Sequence, residues 1–242
     1  MFAFSLRPTA LYASVLILAA CGGEAPPTTT AAPTPAPTAT PAFELKAPAG
    51  EYKMDPNHAG LAFKLKHMGL ADYNARFTRF DVALTLDPQN LANSSVAVTV
   101  DPTSVRTDYM GNFKATHEGS PYGSFEERIS REDKFFNSDQ FPSMAFKSTK
   151  VEPLGAGKLR VTGDLTFLGQ THPVTLDAAV TGSMDKHPMS GRGAIGFTAK
   201  GTLIRSEWGM TGTQQFVGDA VTILFDGEFQ QPEPAAPAPP TS

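Results

Sequence analysis

The side chains able to do acid–base or metal chemistry are few and scattered. Five histidines, His58, His67, His117, His172 and His187, occur in 242 residues with no HxH or HExxH spacing. No short segment therefore offers two imidazoles to one metal ion. The nearest approach to a general-base pair is Asp55 with His58. A hydrolytic or isomerising site could use such a pair, but Asp55-Pro56 is better read as turn chemistry ahead of a strand. No G-x-S-x-G elbow and no phosphate-binding P-loop occurs. Gly191-Arg-Gly193-Ala-Ile-Gly196 matches the dinucleotide fingerprint in letters only. It follows a turn and opens a strand, whereas pyrophosphate binding needs a strand before and a helix N-terminus after. Asn93-Ser94-Ser95 is likewise a glycosylation sequon by letter alone. The single cysteine, Cys21, excludes an intrachain disulfide, a CxxC redox pair and a cysteine-rich zinc site. A net charge of −4 argues against nucleic acid as partner. The residues point to no cofactor and no metal.

What must position any function is β-structure. Between Gly50 and Gln230 the dominant hydrophobic period is two, the period of a half-buried strand. Ala59, Leu61, Phe63 and Leu65 share one face, and so do Phe80, Val82, Leu84 and Leu86. Val96, Val98 and Val100 follow, then Met144, Phe146 and Ser148, and then Leu159, Val161, Leu165 and Phe167. Val174, Leu176, Ala178 and Val180 come next, then Ile195, Phe197, Ala199 and Leu203, and last Val221, Ile223 and Phe225. These are eight predicted strands, joined by short turns that make them antiparallel neighbours. Pro88, Pro102, Pro153 and Pro173 fall at predicted strand ends, where a missing N–H is tolerated. Eight strands with one apolar face fit a sandwich or a closed barrel. A barrel of that size holds side chains or one small ligand.

Continuing the first alternation puts His67 inward and His58 outward. A buried His67 would need a partner, either a protein group or the polar head of a ligand. Residues 103–142 break the pattern. They are polar and contain glycine, with a helical turn predicted at 124–131, capped by Ser124 with Glu127 at capping-box spacing. So long a connection is either an end cap on the barrel or a solvated excursion.

The ends read differently. Residues 1–20 carry one charge, Arg7, and a short apolar run at 11–18, followed by Ala19 and Ala20, the layout of a secretory signal peptide. Leu18-Ala19-Ala20-Cys21 resembles the lipobox of bacterial lipoproteins. That resemblance implies lipidation of Cys21 and a membrane anchor, and several acyl chains on one residue would hold stably. Gly22 in place of Asp implies the outer membrane, facing the periplasm, with a soluble periplasmic form as the alternative. Six each of Pro, Thr and Ala among residues 22–42 predict an extended spacer within a linker that runs from 21 to 49. A spacer of that kind reaches roughly 60 Å. Residues 231–242 have the same composition and the same reading, leaving a domain at 50–230.

The domain resembles the YceI-like family. The likeness rests on Tyr52-Lys-Met-Asp55-Pro-Asn-His58 through Phe63, His67 and Gly69. It continues in Phe135-Phe136, Phe141-Pro142, Phe146-Lys147-Ser148, Val161-Thr-Gly163-Asp164 and Pro173-Val174. Arg205-Ser-Glu-Trp208-Gly209-Met210 and Val217-Gly218-Asp219 complete it. Tyr52 stands where the family usually has Trp, and Arg128-Ile129 where a His-Leu pair is common. The resemblance implies an all-β, eight-stranded antiparallel, lipocalin-like barrel that binds a long apolar chain of polyisoprenoid or isoprenoid-quinone type. The expected pocket comprises Leu61, Phe63, Leu65, His67, Phe80, Val82, Leu84, Val98, Phe146, Leu165, Phe167, Phe197, Leu203, Trp208, Ile223 and Phe225. A barrel filled by its own side chains and acting through protein partners is the alternative. An enzyme using His58 with Asp55 ranks below both.

Overall fold

A computed structural model describes residues 43–233. Within them the chain forms ten strands and two short helices. The strands are β1 (Gly50–His67), β2 (Ala71–Phe77), β3 (Phe80–Leu86), β4 (Ser95–Val100) and β5 (Val105–Thr107), then β6 (Met144–Gly155), β7 (Lys158–Phe167), β8 (Gln170–Met184), β9 (Ala194–Ile204) and β10 (Val217–Gln230). The helices α1 (Phe113–Thr116) and α2 (Phe125–Arg131) lie between β5 and β6. Neighbours run in the order β10-β9-β8-β7-β6-β4-β3-β1, and β10 pairs back onto β1. Every pairing is antiparallel. The eight strands read from the alternation are the eight that close the barrel. Closure removes the exposed sheet edges that an open sheet would present.

β2 and β5 are additions to that plan. β1 is long enough to serve two neighbours on one side. Its start, Gly50–Lys53, pairs with β3, and its end, from Leu61 to His67, pairs with β2. Between them the register to β10 shifts at Met54/Ala59. Such a bulge bends a strand and sharpens its twist, and here β1 turns from β3 towards β2. Asp55 holds the bulge, its Oδ1 accepting from Asn57 N at 2.9 Å. The predicted turn chemistry at Asp55-Pro56 thus sits inside a strand.

Pro173 is also inside a strand rather than at its end. It faces Asp164 on β7, in the stretch of β8 before pairing with β9 begins at Leu176. An edge position of that kind needs no N–H from proline.

The connection at 103–142 is ordered and packed. In α2 the Ser124 hydroxyl accepts from Glu127 N at 3.1 Å, as the capping spacing predicts. The reciprocal bond is displaced by one residue, because Glu127 Oε2 accepts from Gly123 N at 2.6 Å. Two apolar clusters result. One, around Tyr52, Met54, Leu84, Leu86, Ile195 and Phe229, fills the barrel end near the start of β1. Tyr52 is fully buried there and donates from Oη to Pro48 O at 2.7 Å; burial pushes its hydroxyl up to about 12. The other, around Phe77, Ile129, Phe136, Phe167 and Trp208, joins the connection to the strands.

Candidate functional site: an apolar chamber in the barrel

The inward faces do not meet. They enclose a chamber of about 1020 Å³, at the upper end of the range typical of small-molecule pockets, roughly 300–1,000 Å³. It extends from Leu86 and Leu91 at the filled end to His67 and Phe216 at the other, past walls of Val, Leu, Ile and Phe. Antiparallel register sets the wall: Val98 faces Phe146 and Phe146 faces Leu165 across the sheet, so their side chains stand on one surface. Gly163 lets Phe146 lie where it does, since a Cβ at that position would come 2.5 Å from Phe146 Cζ.

Of the expected pocket residues, Leu61, Phe63, Leu65, His67, Val82, Leu84, Val98, Phe146, Leu165, Phe167, Phe197, Leu203, Ile223 and Phe225 line this chamber. Phe80 and Trp208 are not among its lining residues. Phe80 spends its ring against Phe225, edge-on at 6.4 Å. Trp208 is buried in the cluster behind Phe167, with Nε1 donating to Leu165 O at 3.3 Å and His172 edge-on at 5.1 Å. Trp208 belongs to the core and Phe80 is half-buried against it; alternation and motif place them near the barrel without telling wall from filling.

His67 faces the chamber but at its rim, where it is exposed. The expectation of a buried imidazole needing a partner is therefore corrected: water solvates it. His58 and Asp55 do pair, Nδ1 to Oδ2 at 2.9 Å, but neither lines the chamber, and the His58 side chain is 62% exposed. Their hydrogen bond lowers the Asp55 pKa and raises that of His58.

The connection supplies the part of the wall that periodicity missed. Tyr109, His117, Phe125, Ile129 and Phe136 all line the chamber. Phe136 is the anchor: its ring meets Phe63 of β1 at 6.0 Å, Phe77 of β2 at 5.7 Å and Phe167 of β7 at 6.0 Å. The segment is an end cap rather than a solvated excursion. Its signal in the sequence was the Phe135-Phe136 pair and the apolar positions Phe125 and Ile129 of α2. Tyr73 and Phe77 of β2 were missed with their strand.

Charged groups at this end are neutralised locally. Glu132 accepts from Arg128 Nε at 2.8 Å and pairs with Lys134 Nζ at 2.7 Å. Burial alone would push the Glu132 carboxyl up, but Lys134 and Arg128 hold it below its ordinary range. Arg205 is fully buried and lines the chamber. Its guanidinium donates to four carbonyls: Gly218 at 3.0 Å, Met210 at 2.8 Å, Gly212 at 2.9 Å and Val217 at 3.1 Å. One side chain thus pins residues 210–218 across the chamber end. Ser206 extends the staple, donating from N and Oγ to Asp219 at 2.9 and 2.6 Å. This is the structural work of the Arg205-Ser206 and Val217-Gly218-Asp219 motifs.

A closed eight-stranded antiparallel barrel around an apolar chamber defines a lipocalin-like protein. The chain belongs to the YceI-like family, whose domain model matches residues 52–229. It is 35% identical over 157 residues to protein YceI of Shigella flexneri, covering 64% of this chain and 73% of that protein. It is also 35% identical over 144 residues to a UPF0312 protein of Vibrio parahaemolyticus, covering 59% of this chain and 69% of the relative. Among solved structures, the Campylobacter jejuni YceI protein superposes with a TM-score of 0.58 at 24% identity, covering 69% of this chain and 90% of that one. Burkholderia cenocepacia BcnA gives 0.57 at 21% identity, covering 72% and 98%. These last two likenesses concern the fold.

Proposed function

We propose that the protein sequesters or carries a long isoprenoid-type lipid within its barrel, in the bacterial cell envelope. The observation that carries this reading is the continuous apolar chamber, lined from both the strands and the capping connection. Enclosing an apolar chain yields about 0.8 kcal/mol per buried CH₂, a large gross gain against the ordering costs of binding. The resemblance to polyisoprenoid binders supports the same ligand class. The acid–base pair Asp55–His58 stands away from the chamber, so no substrate held there would meet it; the reading is of a binding protein. Cys21 would carry the lipid anchor and hold the barrel on the periplasmic face of the outer membrane.

Obstruction tests the reading. Phe197→Trp places a bulkier ring on the chamber wall. Uptake of a labelled isoprenoid quinone by the delipidated protein should fall severalfold, with the thermal midpoint nearly unchanged because the ring enters open space. In a solid core the same change would overpack and cost about 1–3 kcal/mol. Unfolding without any change in uptake would favour a filled barrel acting through protein partners.

A further inference from the structure

Large apolar side chains crowd the rim where the chamber opens. His67, Gln215 and Phe216 are exposed and also line the chamber, which places a mouth between the β1–β2 turn and the segment before β10. Phe216 is 51% exposed, and in the turn Met68 is 58% and Leu70 84% exposed. Met110, almost wholly exposed, follows Tyr109, another lining residue. Apolar residues exposed singly are ordinary, but a group that continues an apolar cavity out to the surface marks a site of interaction.

The tips are held in place. Met68 N donates to Phe216 O at 2.7 Å, Leu70 N to His67 O at 3.0 Å and Phe216 N to Thr213 O at 2.8 Å. Behind them Arg205 pins the carbonyls of Met210, Gly212, Val217 and Gly218. Beside the turn, Lys64 and Lys66 share one carboxylate, Asp72, at 3.1 and 2.8 Å. Two ammonium groups on one carboxylate leave a positive surplus next to the apolar tips. The described chain enters and leaves at the opposite end. There the Phe43 ring lies against Gly157 of the β6–β7 turn, and Gln231 N donates to Gly193 O at 3.0 Å. Leu154, Met184 and Met189, also exposed, lie at that far end.

Resting on the reading that the barrel takes up a lipid chain, we infer that the mouth docks on a phospholipid bilayer, with Met68, Leu70, Met110 and Phe216 inserted below the head groups. An apolar chain leaving through this mouth meets water unless an apolar phase covers it. A bilayer supplies that phase, and its phosphates match the surplus charge of Lys64 and Lys66 beside the buried tips. A second copy of the chain would instead set two like surpluses against each other. Docking in this way passes the chain between membrane and chamber without a step through water.

The test measures transfer of a labelled isoprenoid quinone from phosphatidylcholine vesicles to delipidated full-length protein. Every protein used carries Cys21→Ser, so that no acyl anchor holds it on the vesicle. Transfer at a docked mouth happens on collision, so the rate for the parent protein should rise in proportion to vesicle concentration. Escape through water would set a rate independent of it. Met68→Asn with Leu70→Glu alters two tips that do not line the chamber, and Asn suits the positive φ of Met68. This mouth variant should take up quinone from vesicles about tenfold more slowly, with unchanged equilibrium uptake of quinone delivered from ethanol. Met184→Asn with Met189→Asn, at the far end, should match the parent in both measurements. Leu70→Glu alone carries the test if thermal melting shows the double mouth variant unfolded. A rate independent of vesicle concentration, or equal rates in mouth variant and parent, would overturn the inference. So would a parent dimer that the mouth variant breaks, since a second copy would then cover the tips. No quinone uptake from either source would instead overturn the lipid-chamber reading, and this inference with it.

Discussion

At the scale of single residues, burial and orientation are separate properties, and His67 shows the difference. Alternation along β1 puts its ring on the chamber side, but the strand runs out to the rim, where the ring is exposed. His67→Phe should therefore change stability by no more than about 0.5 kcal/mol, the range of ordinary surface substitutions, as measured by chemical denaturation. A loss several times larger would mean that the ring is buried and bonded. Gly163 is the opposite case. An added Cβ would press on both Phe146 and the Lys147 carbonyl, so Gly163→Ala should cost about 1–3 kcal/mol and shift the Phe146 ring within the chamber. The same limit on sequence reasoning explains Phe80 and Trp208. Period and motif tell which way a side chain points, but whether its ring ends on a free wall or against Phe225 or Phe167 is set by packing across the barrel.

At the scale of elements, the eight barrel strands were legible because seven of them carry three or more apolar residues at period two and β6 carries two, Met144 and Phe146. β2 has the same alternation, Tyr73, Ala75 and Phe77, but its Asp, Asn and Ala residues are poor strand formers and hid it. β5 is three residues long, too short for any period to show. The connection at 103–142 takes its place by inserting Phe136 among rings from three strands, a tertiary effect with no local pattern. The stapled segment after β9 gives two predictions. Arg205→Ala would orphan up to four carbonyls, at about 1–3 kcal/mol for each that water cannot reach. Overall destabilisation of about 3 kcal/mol or more is expected, with faster hydrogen exchange concentrated in residues 209–218. The second prediction concerns acid. The Ser206 hydroxyl holds the Asp219 carboxyl below its ordinary range. Its contribution to stability is therefore complete above the unfolded value of about 4, and is lost as pH falls through the lowered folded value. Wild-type stability should drop through that window by more than that of Asp219→Asn. Parallel curves for the two would remove Asp219 from the staple.

At the scale of the whole molecule, the proposed function joins a lipid-binding barrel to a lipid-anchored N-terminus. Cys21, the predicted leader before it, most of the predicted linker and the end of the Pro-rich tail lie outside the described residues, so the proposed anchor is tested in cells. Cys21→Ser should yield an uncleaved precursor or a soluble periplasmic form, and a mature mutant still fractionating with the outer membrane would contradict the lipobox reading. The central claim concerns the chamber itself, whose 1020 Å³ of apolar-walled space is a poor host for water and would be filled by a lipid in the cell. Its most direct test is mass spectrometry of the lipid extracted from protein purified from its native envelope under non-denaturing conditions. The account predicts a near-stoichiometric isoprenoid-type lipid, depleted in a Phe197→Trp preparation. Lipid-free protein from the same procedure, or a lipid content equal in the two preparations, would contradict it.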